Sequence, residues 1–303
     1  MTSSDAVFEG LDTERSREDL ADLDARSTRA VVEQIVADDG TVAAAVAAAG
    51  EQLTTAVEAI AARFRDGGRL IYVGAGTPGR IAVIDATECA PTFGIAPERV
   101  VPIMAGGTAT MTTAVEGVED DAHAGTRDIS AADVTGHDAV VGISASGRTP
   151  YVLAAMDAAS QCGATTIGVS NNRGTQLSQR VHIGIETLTG PEVIAGSTRM
   201  KAGTAQKLVL NTLSSASMIA LGKTYRNLMV DVSAANEKLR ARAQRIVVEA
   251  TGTHEGTAAE TLEKTGWQAK PAIVALLTDV DTETAIRRLH HCGGHVRTAL
   301  RAG

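Results

Sequence analysis

Aromatic side chains are scarce in this sequence: Phe, Trp and Tyr together make up 2% of its 303 residues, with a single tryptophan. The hydrophobic content is nonetheless 44%, so Ala, Val, Leu and Ile must build the core. The length suits one large domain, or a large and a small one. No uninterrupted apolar stretch of about 18 residues is present, so we expect no transmembrane helix.

Cysteine is also rare, because only Cys89, Cys162 and Cys292 occur and they lie far apart. We therefore expect no disulfide framework and predict a reducing, cytoplasmic location. The first residues are charged and lack the apolar centre of a signal peptide. A net charge of -8 argues against a general nucleic-acid binder, which needs a basic face. It leaves room for a small anionic substrate, because one pocket can be positive in an acidic protein.

Apolar strands and helices alternate through the middle of the chain. The predicted strands are RLIYVGAG, RVVPIMAGG, HDAVVGISAS, TTIGVS and VHIGIET. The predicted helices between and after them are PGRIAVIDATEC, ATMTTAVEGVEDD, TPYVLAAMDAASQCG and KAGTAQKLVLNTLSSASMIALGK. This alternation predicts an α/β fold with a parallel sheet covered on both faces. Ligands of such sheets bind beyond the carboxyl ends of the strands.

The composition and periodicity of the sequence divide the chain into three predicted parts. Residues 1–60 form an N-terminal helical segment, and residues 61–248 form the α/β domain. Residues 249–303 hold three short helical patterns separated by Gly, Pro and Asp/Thr caps, which predicts a small three-helix domain.

Glycine, serine and threonine dominate the loops after the predicted strands: GAGTPGR, SASGRT and TGPEVIAGSTRMKAGT. Such loops present backbone N–H groups, hydroxyls and a helix N-terminus to an anion. Gly74, Gly76 and Gly79 have the G-x-G-x-x-G spacing, but the second strand ends in IMAGGTAT without the acid of a dinucleotide site. A phosphate-binding P-loop would need Gly-Lys-Ser/Thr, which GAGTPGR lacks. We therefore expect an anion pocket without a nucleotide cofactor.

The SASGRT loop resembles the Ser-x-Ser-Gly-x-Thr loop of sugar isomerase (SIS) domains, which bind phosphosugars. The runs DATECAPTFG, AVEGVEDD, GSTRMKAGTAQKLVLN and GKTYRNLMVDVSAANEKL closely resemble N-acetylmuramic acid 6-phosphate etherases, and the similarity extends from about residue 10 to the C-terminus. This resemblance implies a flavodoxin-like SIS fold and a ubiquitin-associated-like C-terminal domain. It also implies a homodimer with its site near the subunit interface, and no metal or other cofactor.

The reaction that the resemblance implies is cleavage of the lactyl ether at carbon 3 of the sugar, giving N-acetylglucosamine 6-phosphate and D-lactate, in the recycling of cell-wall sugars. In the open-chain sugar the aldehyde acidifies the carbon 2 proton. A base removes that proton, lactate leaves carbon 3, and water adds to the unsaturated aldehyde. Because an alkoxide leaves poorly, an acid must assist, and two carboxyl groups with different protonation states would serve.

The family motifs imply a role for particular residues of this sequence. Glu88 in DATEC is the expected acid that protonates lactate and then activates water, and Glu119 in AVEGVED is the expected base at carbon 2. Substrate contacts are expected from Gly76, Thr77, Gly79, Ser144, Ser146, Gly147, Thr149, Ser197 and Thr198. Ser146, Gly147 and Thr149 would hold the phosphate. Ser197 and Thr198 are also typical helix N-caps, and both roles can coexist.

One position departs from the family pattern, because Pro78 stands where the family usually has serine. Proline removes a hydroxyl and a backbone donor from the phosphate side, and Ser144 would compensate, since many members have alanine there. A different group, His290, His291, Cys292 and His295, has metal-binding residue types. Gly293 and Gly294 interrupt the helix that would align these side chains, so a surface turn is the predicted structure.

Two other functions stay open at this point. A phosphosugar sensor without catalysis, like the glucokinase regulatory protein, would have no need of both Glu88 and Glu119. An aldose–ketose phosphosugar isomerase would share the pocket, but the runs AVEGVEDD and DATECAPTFG argue against it.

Overall fold

The computed structural model describes residues 10–232, 234 and 236–302. By their contacts these residues fall into two compact units. The first comprises residues 10–86 and Val100–Leu213, and the second comprises Thr87–Arg99 and residues from Ser214 onward. The boundaries expected from the sequence, after residues 60 and 248, stay predictions of domain organisation.

A parallel sheet forms the centre of the first unit. Its strands are β1 (Leu70–Gly74), β2 (Val100–Met104), β3 (Ala139–Ile143), β4 (Thr165–Ser170) and β5 (Ile183–Glu186). The helices are α1 (Thr28–Asp39), α2 (Val42–Ala47), α3 (Gly50–Arg65), α4 (Thr77–Phe93), α5 (Ala122–Ala131), α6 (Pro150–Gln161), α7 (Gln176–Arg180) and α8 (Lys201–Ala220), of which α4 and α8 run on into the second unit. The strand order β2-β1-β3-β4-β5 is flavodoxin-like, which confirms the predicted fold class.

Burial explains why the central strands β1 and β3 are mostly apolar. Every residue of β1 and β3 is buried, as expected for central strands covered on both faces. Tyr72 and Tyr151 are among the largest fully buried side chains, and their hydroxyls are satisfied. Tyr72 donates to Asp85 Oδ2 at 2.7 Å, and Tyr151 donates to Asp128 Oδ2 at 2.7 Å. These two tyrosines therefore serve as buried anchors with a polar end.

The predicted helix over ATMTTAVEGVEDD is wrong. A 3₁₀ turn covers Gly107–Met111, a loop follows, and α5 begins only at Ala122. Gly117 has φ 79°, a left-handed conformation that ends any regular helix. Asp121 then caps α5, since its Oδ1 accepts the N–H of Ala124 at 2.8 Å. Glu119 consequently lies on a loop.

The second unit contains α9 (Glu237–Thr251), α10 (Glu255–Lys264), α11 (Ala269–Thr278), α12 (Thr282–His291) and the short α13 (Val296–Ala299). Helices α10 to α13 lie within residues 249–303, for which the sequence predicts a small three-helix domain. Small and branched aliphatic side chains form the core of this unit, with Ala272, Ile273 and Val274 of α11 fully buried. Within the described part of the chain, none of the helices combines the length and apolar character needed to cross a bilayer.

Candidate functional site

The register of the sheet brings two of the predicted loops together. Gly74, the last residue of β1, pairs with Ile143, the last residue of β3. Because the two strands are parallel neighbours, the loops GAGTPGR and SASGRT leave the same edge of the sheet side by side. Both lead into helices, α4 and α6, whose first N–H groups have no partner within the helix.

Ser144 organises the SASGRT loop from the inside. Its Oγ lies 2.7 Å from Thr149 Oγ1 and 3.3 Å from Ser146 Oγ, and it accepts the N–H of Gly147 at 3.0 Å. Ser144 is 2% exposed, whereas Ser146 and Thr149 are half-buried. The loop is thus preorganised by Ser144 and presents the other two hydroxyls.

Gly147 shapes this loop through its backbone. It has φ 64°, and a Cβ atom added there would lie 2.3 Å from Thr175 Cβ. Its N–H is donated to Ser144 within the loop. The position therefore needs glycine both for its conformation and for its close approach to Thr175.

The GAGTPGR loop forms the entry into α4. Gly76 has φ 60° and open space around it, whereas a Cβ on Gly79 would lie 2.7 Å from Met104 Cγ and 2.9 Å from the Gly74 oxygen. Gly79 thus permits the first turn of α4 to pack against the ends of the strands. Pro78 is the second residue of α4, where a missing N–H breaks no helical hydrogen bond.

A hydrogen bond joins the loop before α5 to the start of α6, the helix that follows the SASGRT loop. The backbone N–H of Tyr151, in the first turn of α6, donates to the carbonyl oxygen of Glu119 at 3.0 Å. The Tyr151 hydroxyl reaches α5 through Asp128, and burial, reinforced by this hydrogen bond, raises the pKa of Tyr151 well above its usual range. The phenol therefore stays a neutral donor, and the two contacts fix Glu119 near the N-terminus of α6.

These loops enclose a cavity of about 390 Å³ in the first unit. Seven predicted site residues line it: Gly76, Thr77, Glu119, Ser144, Ser146, Thr149 and Thr198. The other lining residues are Glu14, Ala75, Pro78, Arg80, Thr110, Ala114, Val115, Glu116, Val118 and Ala145. The volume is in the range of small-molecule sites, and one wall carries hydroxyls while another carries carboxylates.

Glu14 is a cavity residue that the sequence reasoning missed. Its neighbour Thr13 is fully buried and exchanges two hydrogen bonds with Asn172: the Thr13 N–H donates to Oδ1 at 3.2 Å, and Nδ2 donates to Thr13 Oγ1 at 3.0 Å. The N–H of Gly196 also donates to the Thr13 oxygen at 3.2 Å. These contacts hold the turn Asp12–Glu14 against the cavity, far from its place in the sequence.

Arg80 provides the guanidinium of the cavity. Its Nε donates to the Met111 oxygen at 3.0 Å, and its Nη2 donates to the Thr110 oxygen at 2.8 Å. Arg80 thereby ties the 3₁₀ turn after β2 to the start of α4. It is also the one cation among three lining carboxylates, Glu14, Glu116 and Glu119.

Ser197 and Thr198 precede α8, but another side chain caps that helix. The buried carboxylate of Glu192 accepts the N–H groups of Lys201 and Ala202 at 3.0 and 2.9 Å. This negative group at a helix N-terminus is electrostatically favourable. Thr198 lines the cavity, whereas Ser197 is not among the lining residues.

The remaining predicted residue, Glu88, is exposed on α4 and belongs to the second unit. Like Gly79, Gly147 and Ser197, it is not among the residues that line the cavity of the first unit. Across residues 10–232, 234 and 236–302, no cluster of three His, Cys, Asp or Glu side chains is arranged to hold a metal ion. The expected roles of all these residues stay predictions.

Comparison with known proteins identifies the family. A family model of the glucokinase regulatory protein N-terminal SIS domain matches residues 52–160, and one of the SIS domain matches residues 110–216. N-acetylmuramic acid 6-phosphate etherases of Streptomyces coelicolor and Rubrobacter xylanophilus are 50% and 52% identical to the chain. Each alignment covers 97% of this chain, and 95% and 97% of the respective relatives. The chain belongs to the N-acetylmuramic acid 6-phosphate etherase family.

The present chain shares its fold with a solved structure from Bacteroides fragilis. That structure is described as a phosphosugar isomerase involved in capsule formation. Its TM-score is 0.50 at 20% identity, and the match covers 64% of this chain and 91% of that one. The match agrees with the flavodoxin-like fold described above.

Proposed function

We propose that this protein cleaves the lactyl ether of N-acetylmuramic acid 6-phosphate with water, giving N-acetylglucosamine 6-phosphate and D-lactate. The observation that carries the proposal is the cavity that combines the SASGRT loop with Glu119. A phosphosugar needs an anion site at one end and acid–base groups at the other. The chain is 50% and 52% identical to two etherases over 97% of its length, which supports the same substrate.

The phosphate is assigned to the SASGRT side of the cavity. Ser146 and Thr149 present half-buried hydroxyls there, and Thr77 faces them from the start of α4. The N-terminus of α6 adds partial positive charge. Pro78 offers no donor to this end, so Thr77 is the remaining hydroxyl of its loop.

Glu119 is assigned as the base that removes the carbon 2 proton. Its carboxylate takes the proton, the electron pair forms the carbon 2–carbon 3 double bond, and the carbon 3–oxygen bond breaks as lactate leaves. Water then adds its hydroxyl to carbon 3, and a proton returns to carbon 2. Glu14, Glu116 and Thr198 line the same cavity and are suited to accept hydrogen bonds from sugar hydroxyls.

Glu88 is assigned as the acid that protonates the departing lactate and then activates water. It lies four residues after Ile84, so both side chains share one face of α4, and Ile84 is 59% exposed. An exposed apolar side chain beside an exposed carboxylate fits a surface that a second copy covers. We therefore propose a homodimer in which Glu88 acts near the subunit interface.

A cytoplasmic location completes this proposal. The sequence has only three cysteines, far apart along the chain, and such sparse cysteine is typical of proteins in a reducing compartment. Neither a metal nor another cofactor is assigned a role.

The decisive assay measures D-lactate released from N-acetylmuramic acid 6-phosphate by the purified protein in the presence of EDTA. We expect turnover, and we expect Glu88→Gln to abolish lactate release while exchange of the carbon 2 proton with solvent persists in part. Glu98→Gln, an exposed acid of the same unit that does not line the cavity, is the matched control. Normal turnover of Glu88→Gln would remove the acid assignment.

One alternative to the etherase function is a phosphosugar sensor without catalysis, because a family model of the glucokinase regulatory protein also matches the chain. Calorimetric binding of the sugar phosphate with no lactate at high protein concentration would favour that alternative. Interconversion of an aldose and a ketose phosphate would instead favour an isomerase.

A further inference from the structure

The second unit contains a cavity of its own, about 600 Å³ in volume, that the proposed function does not use. Its polar lining is concentrated in Lys223, Asp231, Arg240, Trp267 and Lys270. The cavity lies beside the packed helices α9, α11 and α12, whose apolar residues form its floor. It is larger than the cavity of the first unit and differs from it in chemistry.

Positive charge exceeds negative charge in this cavity. Asp231 Oδ2 lies 3.3 Å from Lys223 Nζ and accepts a hydrogen bond from Lys270 Nζ at 2.5 Å. Among the described residues that line the cavity, Lys223, Arg240 and Lys270 are cations and Asp231 is the one carboxylate. Each ammonium has three N–H donors, so one shared oxygen leaves donors available on both lysines.

Burial makes this excess of charge costly. The Lys270 side chain is 10% exposed, and its burial lowers the pKa of the ammonium despite the neighbouring Asp231. A Cβ atom added at Gly94 would lie 2.1 Å from the backbone oxygen of Asp231, so the two residues approach closely at the cavity. An anion in the cavity would stabilise the charged form of Lys270, because opposite charge favours ionisation.

Trp267 adds an independent sign of a ligand site. It has φ 64°, a left-handed conformation that bulky residues rarely adopt. The turn that imposes it is fixed by the Trp267 N–H, which donates to the Leu262 oxygen at 2.7 Å. Arg240 lies over the indole ring at 5.1 Å. Backbone strain of this kind concentrates at ligand-binding positions.

We propose that this cavity binds a phosphate monoester, held by Lys223, Arg240 and Lys270 beside Trp267. A phosphate monoester carries close to two negative charges at neutral pH, which matches the excess of two positive charges in the lining. The phosphate group is the recognised chemistry, and inorganic phosphate and a sugar phosphate share it. This proposal stands whether or not the chain is an etherase.

The single tryptophan makes the test specific, because all tryptophan fluorescence comes from Trp267. The full-length protein is titrated with inorganic phosphate, with N-acetylglucosamine 6-phosphate and with uncharged N-acetylglucosamine. We expect a saturable change of fluorescence with one or both phosphates and none with the neutral sugar. A change with the sugar phosphate alone would assign the ligand as a phosphosugar, and a change with both would assign the phosphate group as sufficient.

Substitutions locate the signal. Lys223→Gln and Arg240→Gln are each expected to weaken phosphate binding about tenfold, since each removes a charged donor. Lys223→Arg should retain binding, and Lys238→Gln, an exposed lysine outside the cavity, should bind like the parent protein. Ser146→Ala, in the other unit, should also leave the fluorescence change intact.

Three results would overturn the proposal: no fluorescence change with either phosphate at millimolar concentration, an equal change with the neutral sugar, or loss of the change in Ser146→Ala. Circular dichroism checks that each variant is folded. If Lys223→Gln does not fold, Arg240→Gln decides, because Arg240 is exposed.

Discussion

Under the two proposals, both cavities hold an anion, but they do so with different chemical groups. The cavity of the first unit uses hydroxyls, glycine-shaped backbone and helix N-termini, and it has one arginine among three glutamates. The cavity of the second unit uses two lysines and an arginine around one aspartate and the only tryptophan. The first is suited to the proposed chemistry, because its three glutamates outnumber the single guanidinium of Arg80. The second is suited to binding alone.

The comparison also explains how little positive charge an acidic protein needs for a phosphosugar. Preorganised N–H and O–H groups lose little conformational entropy on binding, and Ser144 supplies that preorganisation from within the loop. A lysine-rich pocket gains more from Coulomb attraction, but salt weakens it. Three changes to the protein or its solvent test this difference.

The largest expected effect separates chemistry from binding. Glu119→Gln keeps the shape of the side chain but removes the base, so we expect kcat for lactate release to fall about 10²- to 10⁴-fold. The fluorescence response of Trp267 to phosphate should be unchanged. Asp120→Asn, an exposed acid in the same loop that does not line the cavity, is the control and should keep its turnover. Equal losses in both variants would mean that the loop charge, rather than the base, matters.

A smaller effect comes from the backbone of the first unit. Gly147→Ala introduces a Cβ against Thr175 at a positive φ, and we expect the free energy of unfolding to fall by about 3 kcal/mol. Gly76→Ala is the matched control, because its φ is also positive but nothing lies within 4 Å of the added atom. Its expected cost is about 1 kcal/mol. Urea denaturation measures both values, and equal costs would contradict the close approach at Gly147.

The smallest effect is that of salt. Raising the ionic strength from about 0.1 M to about 1 M shortens the Debye length from about 10 Å to about 3 Å. Phosphate binding reported by Trp267 should weaken several-fold over this range. Inhibition of lactate release by N-acetylglucosamine 6-phosphate should change less, since hydroxyl and backbone donors dominate that site. A steeper salt dependence of the inhibition would reverse the comparison.

Much of the sheet was predictable because its strands are short, mostly apolar runs separated by helical patterns. The local sequence pattern gave a wrong prediction at ATMTTAVEGVEDD, where the mixture of small and apolar residues resembles that of a helix. There Gly117, the cap of Asp121 and the link from Glu119 to Tyr151 select a loop instead. The last of these contacts joins residues that no periodicity connects.

Glu14 shows the same limit more sharply. Its place in the cavity depends on the bonds between Thr13 and Asn172, which are separated by 159 positions along the chain. No spacing rule relates such residues, although a short acidic turn next to a buried threonine is a weak signal. The cavity of the second unit was equally unpredictable from the sequence, since its cations come from a loop and two different helices of that unit.

One reaction in isotopically labelled water tests the central claim, elimination followed by hydration, most directly. N-acetylmuramic acid 6-phosphate is incubated with the protein in deuterated, oxygen-18 water, and both products are analysed by mass spectrometry and NMR. The account predicts deuterium at carbon 2 and oxygen-18 at carbon 3 of the sugar phosphate, with unlabelled oxygen in the hydroxyl of lactate. Retention of the original carbon 2 proton, or oxygen-18 in the lactate hydroxyl, would contradict it.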